Sequence, residues 1–272
     1  MPRTSGPRPR KALGQHFLWD SGVLADIARA VRVPEGGFVL EIGAGTGQLT
    51  AALLDRGHEV WAVEIEDRLI PHLRLRFRDS TTLHLLHGDA RDMDLAAELP
   101  AGRPFAACGN LPYFAANPII RRLLEREPRP TEAVVMVQRE VGRELAAAPG
   151  DASLLAISVQ VYATAERLFD VPPEAFDPPP SVVSSVVRLT LRPAPLVPPE
   201  RNEAFFRLVS NTFRNPRKQI HNPLARGTWL PPGGAAEALE AAGIAPSRRA
   251  ETLTVDDWLR LLDACEAIAP RA

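Results

Sequence analysis

Cysteine is scarce in this chain. Its 272 residues hold only Cys108 and Cys265, far apart and outside any C-x-x-C pattern. That excludes a disulfide framework and, with it, a cysteine-ligated zinc or iron–sulfur site. The six histidines form no H-E-x-x-H or comparable set, so no metal is expected. Lysine is nearly missing too: Lys11 and Lys218 are the only two. No apolar run approaches the ~18 residues that span a bilayer, so no membrane partner is expected. The basic, proline-rich N-terminus lacks the apolar stretch of a secretory signal. A reducing cytoplasm is the expected location. No internal repeat is found.

What is present is ordinary globular composition, 45% hydrophobic and 24% charged. A chain of this length can build one large core and a small second domain. Seven short apolar runs (39–42, 60–64, 83–86, 105–109, 133–137, 166–171 and 185–191) read as strands. Helical patterns at 69–77, 119–125, 139–147 and 154–161 lie among them. Such alternation predicts an α/β fold, a largely parallel sheet covered by helices on both faces. Ligands in such sheets bind outside the carboxyl ends of the strands.

The first of these runs leads into Glu41-Ile42-Gly43-Ala44-Gly45-Thr46-Gly47, with Leu49, Leu53 and Leu54 at helical spacing behind it. Strand, glycine turn and helix let the backbone approach a ligand with no Cβ in the way. The spacing is G-x-G-x-G rather than the dinucleotide G-x-G-x-x-G. The acidic Glu41 just ahead of the loop disfavours a pyrophosphate and suits a cationic nucleoside. S-adenosylmethionine, with a sulfonium and an ammonium, fits. The next strand ends in Glu64, placed to accept from ribose hydroxyls as in dinucleotide folds. The third ends in Gly88-Asp89, where Asp89 is either a turn former or an acceptor for the adenine amine.

The fourth strand ends in Gly109-Asn110-Leu111-Pro112-Tyr113-Phe114. Proline fixes its own φ and holds the residue before it extended, so this loop is stiff. It presents an amide, carbonyls and an aromatic face at the expected ligand end. Asn110 is placed to accept from an exocyclic amine, and Tyr113 to stack on its base. A plain strand-to-helix turn with a buried tyrosine is the alternative. Phe176-Asp177-Pro178-Pro179-Pro180 makes a second rigid segment. Phe176 is either core or the other wall of a base slot. Lys11 to Leu18 combines basic, polar and aromatic groups before an amphipathic helix. It packs Phe17 and Leu18 on the core, closes over the cofactor with His16 near its methionine end, or does both.

Net charge is only −1, but its distribution is uneven. The first nineteen residues carry Arg3, Arg8, Arg10 and Lys11 and no acid. From 178 to 249, ten cations face four acids, an excess of six. That pattern suits an anionic macromolecule on one side, or plain solvated surface. After the proline-rich stretch from Arg192 to Pro199 no strand pattern recurs. Phe205, Leu208, Val209 and Phe213 make one helix face; Leu239, Trp258, Leu261 and Leu262 make others. The boundary is expected at 192/193, with domains 1–192 and 193–272. Within the second, Arg214, Arg217 and Lys218 lie among amides and an aromatic, which suits a phosphate backbone.

These stretches together resemble the ribosomal RNA adenine N6-dimethyltransferases, most closely the KsgA type that acts on the small subunit. Gly14-Gln15-His16-Phe17-Leu18, the glycine loop, Glu64, Gly88-Asp89, Asn110-Leu111-Pro112-Tyr113 and Phe176 to Pro180 carry the resemblance, in family order. It implies a Rossmann-like class I methyltransferase sheet with a small C-terminal all-helical domain that contacts RNA. It implies that His16, Leu18, Gly43, Gly45, Glu64, Asp89 and Asn110 bind S-adenosylmethionine. It also implies that Asn110, Leu111, Pro112, Tyr113 and Phe176 handle the target adenine. Arg10, Lys11, Arg214, Arg217, Lys218 and Arg248 are the RNA contacts to expect. The implied substrate is a pair of adjacent adenines in the 3′-terminal hairpin loop of small-subunit rRNA, within a pre-ribosomal particle. The chain is expected to act as a monomer and to leave S-adenosylhomocysteine. Two departures stand out: Ser181 follows the three prolines where a basic residue is usual, and the C-terminal cationic cluster is sparser.

Overall fold

The computed structural model describes Pro7, Arg10, residues 15–215 and residues 218–268. Gly14, Lys11 and Arg217 therefore lie outside the described residues. Two compact units emerge: residues 1–143 with 164–191, and residues 144–163 with 192–272.

In the first unit the elements run β1 (Phe17–Leu18), α1 (Ser21–Ala30), β2 (Phe38–Ile42), α2 (Gln48–Leu54), β3 (Val60–Glu64) and α3 (Leu69–Arg76). There follow β4 (Leu83–His87), α4 (Leu95–Glu98), β5 (Phe105–Asn110), α5 (Ala116–Glu125), β6 (Glu132–Gln138) and α6 (Arg139–Leu145). The strands β7 (Ala163–Val171), β8 (Phe176–Asp177) and β9 (Ser184–Leu191) complete it. Seven strands form one sheet in the order β4-β3-β2-β5-β6-β9-β7. From β4 to β6 neighbours are parallel, and β9 runs antiparallel to β6. The seven expected strands are all present, within three residues of the expected bounds.

The reason is burial. All five residues of β2 are buried, and β5 and β6 are buried over all but their last residue. A parallel strand covered on both faces reads as a continuous apolar run, which is how these appear in the sequence. The strand order reverses between β2 and β5, with β3 on the far side of β2, so the carboxyl ends of these parallel strands open toward one crevice. Helix α1 starts where Asp20 accepts from the amides of Gly22 and Val23.

The turn into α2 needs glycine. Gly47 has φ +81, and a Cβ there would stand 2.6 Å from Phe77 and 2.9 Å from Leu73. We expect Gly47→Ala to lower stability by about 2–4 kcal/mol, from left-handed strain plus overpacking. Thermal denaturation checks this.

The second unit holds α7 (Leu154–Tyr162), α8 (Asn202–Phe213), α9 (His221–Gly227), α10 (Gly234–Ala241) and α11 (Val255–Ile268). Its core holds Phe205, Leu208, Val209, Leu239, Trp258, Leu261 and Leu262, all fully buried, while Phe213, expected on the same face, is half-buried against Trp258. Its extent differs from the break expected at 192/193, because α7 packs on α8 and α11. The Leu196 and Arg192 amides also donate to the Val161 and Tyr162 carbonyls, at 2.8 Å each. No described helix is long and apolar enough to cross a membrane.

Candidate active site

The glycine loop and the Asn-Leu-Pro-Tyr loop face one cavity of about 220 Å³ in the first unit. Gly43, Gly45 and Glu64 line one side; Asn110, Leu111, Pro112 and Tyr113 line another, with His16 and Phe176 between. The glycine loop, Glu64 and the Asn-Leu-Pro-Tyr loop come from the carboxyl ends of β2, β3 and β5, brought together by their parallel pairing, whereas His16 and Phe176 are held by the β1–β8 ladder.

Glu64 holds the glycine loop. Its Oε2 accepts from the Gly45 amide at 2.8 Å, and its Oε1 from the Glu66 amide at 2.8 Å. A carboxylate has about four lone-pair sites, so further donors can be accommodated. Burial pushes its pKa up, and those two amide bonds pull it back.

Asn110 is aimed by the N-terminal strand. Its Nδ2 donates to the His16 carbonyl at 3.1 Å. A carbonyl only accepts, so the amide orientation is fixed and Oδ1 is left without a partner among the described residues. His16 is itself pinned. Its Nδ1 donates to the Pro178 carbonyl at 2.7 Å, and β1 pairs antiparallel with β8 just beyond it. Within the described part of this segment, Leu18 packs in the core while His16 and Phe17 line the cavity.

Tyr113 is half-buried. Its hydroxyl lies 2.9 Å from Ser184 Oγ, and its ring stacks on His16 with centroids 6.1 Å apart. Desolvation raises the phenol pKa, so it stays neutral. Phe176 is buried yet lines the cavity.

Other expected site residues stand elsewhere. Leu18 is buried in the core beside Phe176 and does not line the cavity. Asp89 lies just outside the lining. Arg91 Nε is 3.0 and 2.9 Å from its two oxygens, and Arg91 does line the cavity. That clasp lowers the Asp89 pKa. Glu41 differs from its reading as the charge that selects a cationic ligand. It is 1% exposed, sealed behind the loop, and its Oε2 accepts from Thr50 Oγ1 at 2.6 Å. Burial lifts its pKa to about 7, so it is partly neutral at physiological pH.

Of the expected RNA contacts, Arg10 pairs with Glu66 at 3.2 Å. Arg214 and Lys218 line a cavity of about 350 Å³ in the second unit with Asn211, Asn222 and Arg226. Arg248 is committed to Asp257, 3.2 Å away, and to Thr252. Sequence reasoning missed Arg91, Ser184 and Ile65, and quoted Phe114 within the loop without giving it a role. The D-x-R spacing was a signal for Arg91. Phe114, 62% exposed at the cavity mouth, directly follows the loop motif.

A sequence model of the family described as "Ribosomal RNA adenine dimethylase" matches residues 6–266. The chain belongs to that family. It is thus an rRNA adenine dimethyltransferase. Among curated proteins it is 41% identical to "Ribosomal RNA small subunit methyltransferase A" of Desulfitobacterium hafniense, covering 95% of this chain and 93% of that one. Among solved structures, a dimethyladenosine transferase from Plasmodium falciparum superposes with a TM-score of 0.78 at 25% identity. That match covers 90% of this chain and 96% of the other. The 23S rRNA methyltransferase ErmE matches with a TM-score of 0.73 at 28% identity, covering 92% and 99%. These neighbours place the family's sheet, a class I methyltransferase fold flanked by helices, on this chain.

Proposed function

We propose that this enzyme uses S-adenosylmethionine to dimethylate N6 of two adjacent adenines in the 3′-terminal hairpin loop of small-subunit rRNA. It acts as a cytoplasmic monomer on a pre-ribosomal particle. The observation that carries this reading is the unpartnered Asn110 Oδ1, held in the same cavity as the glycine loop. The substrate class follows the curated relative named for the small subunit, 41% identical against 28% for ErmE.

The residues fit the cofactor. Gly43 and Gly45, with φ of +78 and +58, leave room against the loop, and Glu64 retains acceptor capacity for ribose hydroxyls. Asp89 is the candidate acceptor for its adenine amine. When bound, S-adenosylmethionine supplies a methyl on a sulfonium, which leaves as S-adenosylhomocysteine.

The protein's task is to make a poor nucleophile attack. The N6 lone pair of adenine is delocalised into the ring. Accepting its hydrogens on Asn110 Oδ1 and a loop carbonyl favours pyramidalisation and frees that pair. Tyr113 and Phe176 clamp the base by stacking. Orientation of this kind supplies up to ~7–11 kcal/mol in good models. The proton leaves after the amine has become cationic, so no general base is needed beforehand.

Labelled methyl transfer to small subunits from a strain lacking the modification, with the modified bases mapped, tests the reading. Transfer to large subunits alone would overturn it in favour of ErmE-like chemistry.

Glu64→Ala is expected to weaken cofactor binding about 10- to 100-fold, the loss of one or two charged hydrogen bonds, while RNA binding holds. Calorimetry reads this. In the wild type, ribose hydroxyls need the ionised carboxylate. Because its pKa is raised, affinity should decline with falling pH earlier than for an ordinary glutamate.

A further inference from the structure

Beside the target cavity lies a second one, of about 590 Å³, lined by Arg91, Asn117, Arg121, Arg122 and Arg126 with Asp92 and Glu125. Arg91 lines both cavities, so they adjoin. Four guanidinium groups face two carboxylates, and one of those, Glu125, is already held by Arg121 at 2.9 Å.

Arg122 is the unusual member. It occupies a core-facing position of α5, between Ile120 and Leu123, and is only 7% exposed. Its Nη1 donates to the Arg126 carbonyl at 2.9 Å, but no carboxylate pairs with it among the described residues. A buried cation without a counter-ion is costly. Desolvation and the neighbouring Arg126 cation push its pKa down, against a weaker pull from Asp94. Arg126 is exposed, and its side chain makes no bond among the described residues. An anion in this groove would compensate the first and engage the second.

We propose that this groove binds a phosphodiester of the RNA strand whose adenine enters the target cavity. The inference rests on the rRNA methyltransferase reading above. Guanidinium groups match phosphate oxygens in a planar, two-pronged fashion. Phosphate contacts carry no sequence information but fix the register of a strand. A nucleotide turned out of its stack needs such a hold beside it. Arg91 connects the two tasks, since it reaches both the groove and Asp89.

The test compares wild type, Arg126→Ala and Arg126→Lys in full-length protein. The probe is undermethylated small ribosomal subunits, with binding followed between about 50 and 200 mM salt. Arg126 is exposed, so the fold does not depend on it; Arg122→Gln is a second variant. Arg126→Ala should weaken binding about 5- to 10-fold and reduce the salt slope by about one, with Arg126→Lys restoring most of the slope. Cofactor affinity by calorimetry should stay unchanged in all three. An unaltered slope in Arg126→Ala, with wild type still methylating the particle, would overturn the groove and leave the proposed function standing. So would an unaltered slope joined to Arg126-dependent binding of inorganic phosphate alone, which would mark a free-anion site. Failure of wild type to bind or methylate any rRNA would remove both.

Discussion

Asn110→Ala should reduce methyl transfer by at least about 10²–10³-fold while the protein stays folded and still binds RNA. The magnitude is that seen when one preorganised polar group is removed from a reacting centre. The loss should fall on kcat more than on KM, because the amide's acceptor oxygen matters most as N6 becomes pyramidal and cationic. The structure says why no neighbour substitutes. Asn110 Nδ2 is tied to the His16 carbonyl, Tyr113 is tied to Ser184, and Leu111 is buried. Asn110→Asp is the sharper variant. A carboxylate has no donor for the His16 carbonyl, 3.1 Å from Nδ2, so it would lose its aim. Single-turnover transfer with the particle, beside calorimetry for the cofactor, reads both. Near wild-type turnover in Asn110→Ala would remove it from the chemistry.

Glu41→Gln should change how stability depends on pH. Burial raises the Glu41 pKa from 4.5 to about 7, opposed by the Thr50 hydroxyl and the Arg76 cation and reinforced by Glu64. The folded state therefore holds a proton that the unfolded chain has released between those two values. Stability falls as pH rises through that window, and the whole penalty is present above the folded value. A shift of that size corresponds to about 3 kcal/mol. Glutamine cannot ionise, so the stability of the variant relative to wild type should improve by about 3 kcal/mol on going from pH 4.5 to about 8. Glu41 Oε1 has no partner in either form, so that cost cancels in the pH dependence. Denaturant melts across this range check it; parallel curves would show that Glu41 stays charged when buried.

Both predictions turn on residues whose type the sequence displayed but whose bonding it did not. The strands were legible because short apolar runs, such as Val60 to Glu64, are too brief for an ordinary helix and recur between helical patterns. The glycine loop and the Asn-Leu-Pro-Tyr loop were legible because backbone chemistry there restricts the residues allowed. The His16–Asn110 bond was not, since it joins positions 94 residues apart through a carbonyl that every residue possesses. Nor was Ser184 under Tyr113, a small hydroxyl whose role exists only once β9 lies beside β6. Glu41 was misplaced because a chain position next to a loop does not say which side of it a carboxylate ends on. The proline-rich stretch after Leu191 marks a shift in composition. It could not reveal that α7, from earlier in the chain, shares the C-terminal core.

The ladder between β1 and β8 is only two residues long, Phe17 with Asp177 and Leu18 with Phe176. Its alignment decides which backbone oxygen meets the Asn110 amide. Shift that pairing by a single step and an outward-pointing neighbour takes the place of the His16 carbonyl. The amide would then be free to rotate and offer nitrogen where oxygen is required. Chemistry at position 110 is thereby contingent on the correct alignment of a peptide 94 residues upstream, through a single backbone carbonyl.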